Sequence, residues 1–266
     1  MELNDLQKVI VETEEPKVIV IASAAAGKTA VLTERLKYLL KKGVDPSKIV
    51  CITFTNAASE ELRKRVGDYP SLFIGTIHSY CNRLLLMSGY DTSKVIQDEN
   101  FDELFEIIKE RPQAVKEVDY LLLDESQDST EEELHFMIDI VHPKNYMLVG
   151  DYRQSIYQFK GACPGYILEL SQDWDVMTYD LNKNYRNGSR ILSFAKDIIK
   201  KNGKQYVDYS IPMRGTEGQV IEGEFTNSQI AEAIKNDGHY NDWFVLCRTN
   251  SELSSIKSVL EKAGIP

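Results

Sequence analysis

The 266-residue chain has no apolar run long enough to cross a membrane, and its acidic first residues lack the apolar segment of a signal peptide. We therefore expect no membrane partner. Cysteine is also scarce, and the four thiols lack the spacing of a metal site or a disulfide framework (Cys51, Cys81, Cys163 and Cys247). Reduced, mostly buried thiols are typical of cytosolic proteins, so we expect a cytoplasmic location.

Positively charged residues are also fewer than negatively charged ones. Asp and Glu outnumber Lys and Arg by 41 to 31, which gives a formal net charge of −10. This balance argues against a protein that coats nucleic acid through bulk electrostatics, although it leaves room for a narrow groove lined by specific groups. The rest of the composition, 42% apolar and 27% charged, is typical of a soluble globular protein with a sizeable core.

The segment Ala22–Thr29, ASAAAGKT, has the context of a phosphate-binding loop. It follows the apolar run Lys17–Ile21, typical of a buried strand, and precedes apolar residues at helical spacing over 31–40. Backbone N–H groups at such a helix start point towards an anion, and the helix dipole favours negative charge there. Lys28 is then placed to bind the β- and γ-phosphates, and the Thr29 hydroxyl to bind magnesium. The alternative is an alanine-rich turn with an incidental lysine.

This loop is poor in glycine. Phosphate-binding loops usually open with glycine, whereas here Ala22 opens the loop and three further alanines precede its one glycine, Gly27. Alanine is strained wherever φ is positive, and glycine is not. We therefore expect the loop to keep mostly negative φ, or to bind phosphate less well than a glycine-rich loop does.

The segment 118–128, VDYLLLDESQD, is a second candidate site. Its apolar residues predict a buried strand that delivers Asp124 and Glu125 at its C-terminal end, where doubly wound sheets bind ligands. In a nucleotide hydrolase, Asp124 holds magnesium through water, and Glu125 orients or deprotonates the attacking water. Carboxylates that cap the next helix are the structural alternative. The phosphate-binding loop about 95 residues upstream favours the catalytic interpretation.

Apolar runs alternate with helical segments along the chain. This alternation predicts an α/β fold with a doubly wound, mostly parallel sheet and helices on both faces. The predicted strands cover residues 18–22, 49–54, 72–77, 118–123, 146–150, 176–179, 219–225 and 243–248. The predicted helices cover residues 29–40, 57–66, 79–87, 101–109, 131–141, 189–200 and 251–263. Thr130 with Glu133 predicts a capping box, and Gly43 predicts a helix end.

Six further segments occur in the order typical of one family. They are LNDLQ (3–7), CITFTNAASEELRKR (51–65), GTIHSYCNRLL (75–85), LVGDYRQSIYQFKGA (148–162), LNKNYRNGSRIL (181–192) and WFVLCRTNSELSSIKSVLEKAGIP (243–266). Together with the two sites above, they make the chain resemble the UvrD/Rep type of superfamily 1 DNA helicases. This resemblance implies a RecA-like P-loop NTPase fold that uses ATP and Mg²⁺ and that binds single-stranded DNA.

The resemblance also implies a role for individual residues. The implied ATP-binding residues are Gln7 on the adenine edge, Tyr185 on the adenine face, and the loop (Ser23, Ala24, Ala25, Ala26, Gly27, Lys28, Thr29 and Ala30). The implied catalytic residues are Lys28, Asp124, Glu125, Gln154 as the sensor of the γ-phosphate, and Arg186 as the arginine finger. Thr29 and Asp124 are the implied magnesium ligands. Short polar groups and aromatic rings are the implied DNA contacts (Phe54, Thr55, Asn56, Thr76, His78, Ser79, Tyr157 and Phe159).

Ordinary structural roles remain open for several of these residues. Gln7 lies three residues after Asn4 and fits helix capping as well as it fits an adenine edge. Phe54 fits core packing, His78 fits a hydrogen-bonded structural histidine, and Arg186 fits a surface ion pair. Short polar residues at strand ends are, taken one at a time, more often helix N-caps or turn residues.

The chain departs from the family pattern in several places. Ala57 stands where lysine is usual and Ala30 where arginine is frequent, and both losses weaken ligand contacts. Only about 35 residues separate GTIHSYCNRLL from VDYLLLDESQD, where the family inserts an accessory subdomain. The sequence stops at Pro266, before the last two family motifs, which include another arginine at the phosphates, and before the second accessory subdomain.

We expect a RecA-like ATP-binding motor domain over residues 1–175, with a reduced 1B insertion near 88–117, and a partial second RecA-like domain (2A) over 176–266. The expected function is the single-stranded-DNA-dependent ATPase core of a UvrD/Rep-like 3′–5′ helicase, either an excised part or a short form that a protein partner completes. Translocation requires two motor domains that close on ATP and reopen after hydrolysis. The rival hypothesis is therefore a helicase-like nucleotide-binding module that docks on a partner protein without unwinding DNA.

Overall fold

The computed structural model describes residues 2–201 and 208–266 of the chain. The chain divides into two compact units, Met1–Gly218 and Gln219–Pro266. Within the described residues, no helix combines the length and the apolar character needed to traverse a lipid bilayer. The first unit contains every residue predicted to bind ATP or DNA.

The first unit is built on a six-stranded parallel sheet. Its strands are β1 (Lys17–Ala22), β2 (Ile49–Ile52), β3 (Phe73–Gly75), β4 (Tyr120–Leu123), β5 (Asn145–Gly150) and β6 (Met177–Leu181), in the order β3-β2-β4-β5-β1-β6. Val20 at the centre of β1 lies opposite Val149 of β5 and Tyr179 of β6. A second, two-stranded parallel sheet joins β7 (Lys183–Asn184) to β8 (Ile211–Pro212).

Helices follow most of the strands. They are α1 (Asp5–Glu12), α2 (Lys28–Lys41), α3 (Asn56–Val66), α4 (Ile77–Met87), α5 (Ser93–Gln97), α6 (Glu103–Glu110), α7 (Glu131–His135), α8 (Pro164–Leu170), α9 (Ser189–Lys201), α10 (Asn227–Asp237) and α11 (Asn250–Lys262). The predicted capping box of Thr130 with Glu133 is confirmed at the start of α7, and Gly43 follows α2 with a φ of +84°. The predicted helix over 131–141 becomes a π-helix from Phe136 to Ile140.

The helices cover both faces of the sheet. Because alternate residues of a strand point to opposite faces, Val18 and Val20 of β1 pack with α1 and α2, whereas Ile19 packs in the core formed with α4 and α6. Strands buried on both faces explain the continuous apolar runs of the sequence. The parallel sheet between two helical layers confirms the predicted α/β, RecA-like fold class.

The strands predicted over 219–225 and 243–248 are wrong, because neither segment lies in a strand. Their β-prone apolar residues face solvent instead, with Phe244 86% and Leu246 90% exposed. A strand forms only where a neighbour completes its backbone hydrogen bonds, and the described residues of the second unit provide none. That unit instead packs α10 and α11 around Ile234, Ala231 and Ile265.

The region between the two predicted domains also differs in detail from the expectation. The strand predicted over 176–179 is β6, and it lies at the edge of the six-stranded sheet beside β1. The segment 88–117 contains the two short helices α5 and α6. Helices α1, α5, α8 and α10 are not among the predicted helices, and α5 and α8, with five and seven residues, are too short to show a helical pattern. The domain boundary between residues 175 and 176 stays a prediction.

Candidate active site

The loop Ser23–Gly27 connects β1 to α2 and has two residues with positive φ. Gly27 has a φ of +89°, which favours glycine, and a Cβ atom added to it would lie 2.6 Å from Nε2 of Gln7 and would displace that side chain. Ala25 has a φ of +56°, so the expectation of negative φ fails at this alanine and holds at Ala24 and Ala26.

The strained alanine is held by a segment far away in sequence. The Tyr185 N–H donates to the carbonyl of Ala25 at 3.2 Å, and the Asn184 side-chain amide donates to the carbonyl of Ala24 at 2.8 Å. A left-handed conformation at alanine costs on the order of 1–2 kcal/mol and persists where its surroundings impose it. Strand β7 and the residue after it therefore fix the shape of the loop.

Lys28, the first residue of α2, forms an ion pair with Glu125. Its Nζ lies 2.7 Å from Oε2 of Glu125, and its side chain is only 11% exposed. The Nε2 of Gln127 donates to the same carboxylate oxygen at 2.9 Å. Glu125 makes no side-chain cap to the helical turn that follows, so the capping alternative for this residue is wrong.

Glu125 lies in a strained conformation at the end of β4, with φ +49° and ψ +42°. Such non-glycine outliers cluster at functional sites, where the surrounding structure holds them. The neighbouring Asp124 is buried, and burial followed by the charge of Glu125 raises the pKa of Asp124 to about 6. The charge of Lys28 lowers this pKa, but burial outweighs it.

A buried polar network joins the ends of β1, β4 and β5. Gln127 accepts a hydrogen bond from the backbone N–H of Asp151 at 2.9 Å. Arg153 donates to Oδ1 of Asp151 at 2.6 Å, to Oγ of Ser23 at 3.1 Å and to Oδ1 of Asp208 at 3.4 Å. The side chain of Arg153 is only 2% exposed.

Gln154 belongs to the same network, because its Nε2 donates to Oδ2 of Asp151 at 2.6 Å. Gln154 is among the residues predicted from the sequence, whereas Arg153, Asp151 and Gln127 are not. An arginine between two polar residues gives no sign of burial, and its partners Ser23 and Asp208 lie 130 and 55 residues away.

A cavity of about 1010 Å³ opens beside the loop, and we refer to it as the loop cavity. Eleven of the predicted site residues line it, namely Gln7, Ala24, Ala25, Gly27, Lys28, Thr29, Ala30, Glu125, Gln154, Tyr185 and Arg186. Ser23, Ala26 and Asp124 are buried behind it. Four cationic and two anionic side chains line it (Lys28, Arg65, Arg186 and Arg214; Glu2 and Glu125). An acidic chain thus concentrates positive charge at one cavity.

Gln7 and Tyr185 lie at the α1 side of the loop cavity. Gln7 forms the capping box expected for its structural alternative, since its Oε1 accepts from the Asn4 N–H at 2.9 Å. Its Nε2 also donates to the carbonyl of Ala26 at 3.0 Å, which ties α1 to the loop. The Tyr185 hydroxyl accepts a hydrogen bond from the Asn4 side chain at 2.8 Å, and its ring is half-exposed.

Three aromatic rings form a row on the surface, which we call the aromatic row: Phe54, Tyr157 and Phe159. Ring centroids lie 5.0 Å apart between Phe54 and Tyr157, and 6.1 Å apart between Tyr157 and Phe159. Phe54 is 40% exposed and Phe159 79% exposed, so the core-packing alternative for Phe54 is wrong. The Lys160 ammonium lies 5.3 Å from the Tyr157 ring centroid.

The short polar residues predicted to contact DNA have local partners. Thr55 and Thr76 are the N-caps of α3 and α4, and their hydroxyls accept from the backbone N–H groups of Ala58 and Ser79. The Ser79 hydroxyl donates to the Thr76 carbonyl at 2.8 Å. Asn56 is the exposed first residue of α3. Thr55 and Thr76 thus have the helix-capping role that was the structural alternative to DNA binding.

His78 does not fit the alternative role of a hydrogen-bonded structural histidine. Its Nε2 is buried and makes no hydrogen bond within the described residues. The same atom lies 3.9 Å from carboxylate oxygens of both Asp102 and Glu133, and the ring packs against Phe101 and Phe105. Burial raises the pKa of Glu133.

The sequence matches the family described as UvrD/REP helicase N-terminal domain over residues 3–115 and 109–175, and UvrD-like helicase C-terminal domain over 179–266. A "Probable DNA helicase II homolog" of Mycoplasma capricolum is 25% identical over 99% of this chain and 51% of the relative. The "ATP-dependent DNA helicase PcrA" of Staphylococcus aureus is 26% identical over 99% of this chain and 50% of the relative.

The chain therefore spans about half the length of these curated relatives. Among solved structures, the Pif1 helicase from Candida albicans matches 68% of this chain and 40% of that chain. The TM-score of this match is 0.43 and the sequence identity is 17%.

Replacing Arg153 by alanine should destabilise the first unit strongly. The change removes the cation shared by the buried Asp151 and the largely buried Asp208, whose side chains are 4% and 10% exposed, and breaking a buried ion pair in this way costs about 3–5 kcal/mol. Urea unfolding followed by circular dichroism measures the loss. The matched control is Arg190→Ala, which removes a surface ion pair with Glu217 whose side chains are 68% and 70% exposed and should cost less than about 1 kcal/mol. Equal losses in the two variants would contradict a structural role for the Arg153 network.

Proposed function

Because the chain belongs to the UvrD/Rep helicase family, we propose that it binds ATP in the loop cavity and hydrolyses it in response to single-stranded DNA. The observation that carries the proposal is the meeting of Lys28, Glu125 and Gln154, each following a different sheet strand, at a cavity that Arg186 also lines. In the longer proteins of this family, such a core would belong to a motor that moves 3′ to 5′ along DNA. We assign this chain to that core, either as a part of a longer protein or as a form that a partner completes.

The Lys28–Glu125 ion pair is consistent with a phosphate-binding site in its nucleotide-free state. A triphosphate at the loop offers Lys28 several negative charges in place of one carboxylate, and the loop N–H groups and helix dipole favour the same anion. When Lys28 moves to the phosphates, the carboxylate of Glu125 loses one of the two hydrogen-bond donors that it has within the described residues and can orient and deprotonate the attacking water. The hydrogen bond from Gln127 keeps the carboxylate in place during this exchange.

The residues beside the loop also fit Mg²⁺. This ion prefers oxygen ligands and keeps several waters, so a carboxylate with a hydroxyl is a sufficient protein contribution. Asp124 provides a buried carboxylate, and Thr29 provides a hydroxyl in the first turn of α2. The raised pKa of Asp124 supports the assignment, because a cation at this carboxylate would relieve the penalty of burying its charge. Bound there, Mg²⁺ would neutralise charge on the phosphates.

The remaining groups of the loop cavity fit the other parts of ATP. After donating to Ala26, Nε2 of Gln7 has a second N–H for the adenine edge, and the half-exposed Tyr185 ring offers a face for stacking on adenine. The Arg186 guanidinium is exposed in the loop cavity, where it can stabilise charge that builds up during phosphoryl transfer. In the part of the chain that the structure describes, Arg186 forms no surface ion pair.

The aromatic row supports single-stranded DNA as the partner. Stacking of bases on aromatic rings contributes about 1–3 kcal/mol per base and tolerates any sequence. It also needs little bulk positive charge, which agrees with the acidic composition. Gln154 and Tyr157 are three residues apart in one segment, so a movement of Gln154 towards a γ-phosphate would reach the aromatic row directly.

The second candidate function is a nucleotide-binding module that docks on a partner protein. The observation that favours it is the second unit, where large apolar side chains such as Phe244 and Leu246 are almost fully exposed. Exposed apolar residues of this size are typical of surfaces that another protein or domain covers. The two candidates differ in one measurable property, which is whether the affinity for DNA responds to ATP.

Replacing Glu125 by glutamine should preserve ATP binding and stop hydrolysis. The amide keeps the size and the contact with Gln127 but cannot accept a proton from water, so turnover should fall about a hundredfold or more. Phosphate release with and without single-stranded DNA measures turnover, and calorimetry measures ATP affinity. The exposed Glu131→Gln change on α7 is the control and should behave as wild type. Wild-type turnover in Glu125→Gln would remove Glu125 from the proposed role.

Replacing Phe159 by alanine should weaken binding of single-stranded DNA by about five- to 150-fold, the loss expected for one stacked base. The side chain is 79% exposed, so folding should be unaffected. Fluorescence anisotropy of a labelled oligonucleotide, with and without ATP, measures the affinity. Trp174→Ala, which removes a 94% exposed ring outside the aromatic row, is the control. If the affinity of the wild-type chain for DNA is the same with and without ATP, the docking module would be favoured over the motor core.

A further inference from the structure

The small sheet of β7 and β8 brings Arg214 to the loop cavity, beside Arg186. Lys183 pairs with Ile211 and Asn184 with Pro212, and the Met213 N–H donates to the Asn184 carbonyl at 2.9 Å. Continuing this parallel register by two residues sets Arg214 beside Arg186. The Nη1 of Arg214 donates to the backbone carbonyl of Arg186 at 3.0 Å, and both residues line the loop cavity.

Two like charges side by side are unfavourable unless something compensates them. The hydrogen bond of Arg214 is made to a carbonyl, which leaves its charge and most of its N–H donors unused. Within the described stretches of the chain, neither Arg186 nor Arg214 forms an ion pair with a carboxylate. Arg190, four residues after Arg186, differs from both because it forms a surface ion pair with Glu217.

Arg186 and Arg214 are both exposed residues that line the loop cavity. The carboxylates that line this cavity are Glu2 and Glu125, and Glu125 is already paired with Lys28. The cationic lining therefore exceeds the anionic lining in a chain whose net charge is −10. A planar, permanently charged guanidinium is suited to bidentate contacts with phosphate oxygens. The ligand that such a pair of arginines fits is a polyphosphate.

We propose that Arg214 is a further nucleotide-binding residue, which clamps the polyphosphate of ATP together with Arg186. This assignment rests on the proposed function of the loop cavity. The carbonyl of Arg186 fixes one edge of the Arg214 guanidinium, and the remaining edge is available to the phosphates. Because Arg214 lies two residues after β8, the clamp would join the segment that follows the small sheet to the nucleotide.

Binding of ATP and of AMP, each with Mg²⁺, tests the assignment by isothermal titration calorimetry on the 266-residue chain. Arg214→Ala should weaken ATP binding about tenfold or more, the loss typical of a charged hydrogen bond, and should change AMP binding by less than about twofold. Arg214→Lys should recover part of the ATP affinity, because it restores the charge without the bidentate geometry. Arg190→Ala is the matched control and should bind both nucleotides as wild type does.

The possible outcomes distinguish the role of Arg214 from the proposed ATP binding on which that role rests. A wild-type chain that binds no ATP would overturn the proposed function itself. ATP affinity that is unchanged in Arg214→Ala, while the wild type binds, would overturn only the role of Arg214. Equal losses for ATP and AMP would also overturn it, because the contact would then be to the part that both nucleotides share, which is the α-phosphate, the sugar and the base, and not to the β- and γ-phosphates. Circular dichroism of each variant, with Arg214→Gln as a second uncharged replacement, separates these results from misfolding.

Discussion

The ion pair between Lys28 and Glu125 is the interaction on which the site depends. Lys28 is nearly buried at the start of α2, and a buried ammonium group without a partner is costly. A carboxylate must therefore face it whenever phosphate is absent, and that carboxylate is also the group proposed to activate water. One carboxylate, that of Glu125, thus pairs with Lys28 in the absence of nucleotide and, in our account, activates water when ATP is bound. Nucleotide binding would therefore also release the catalytic carboxylate from its ion pair.

Side-chain hydrogen bonds connect the ends of three strands, β1, β4 and β5. Gln127 bonds to Glu125 and to the backbone of Asp151, Asp151 bonds to Arg153, and Arg153 bonds to Ser23. A change at Lys28 therefore has a continuous bonded route from the loop to residues 151–160, where the aromatic row begins. The strained Glu125 lies on this route, and the strained Ala25 lies two residues after Ser23, where the route reaches the loop.

The parts of the site that depend on local sequence could be predicted, and the parts that depend on distant partners could not. A strand, a small-residue loop and Gly-Lys-Thr lie in one segment, so Lys28 and the fold around it could be read from the sequence. The positive φ of Ala25 depends on Asn184 and Tyr185, about 160 residues away. The burial of Arg153 and the position of Arg214 depend on residues 208–214, and the strands predicted over 219–225 and 243–248 needed neighbours that the described chain does not provide.

The most direct test is the affinity of the 266-residue chain for ATP with Mg²⁺, measured by calorimetry beside that of Lys28→Ala. Our account predicts that the wild-type chain binds ATP and that the variant binds none at millimolar ATP, because Lys28 is the cation that exchanges Glu125 for phosphate. Absence of binding by the folded wild-type chain, or equal affinity in the two proteins, would contradict it.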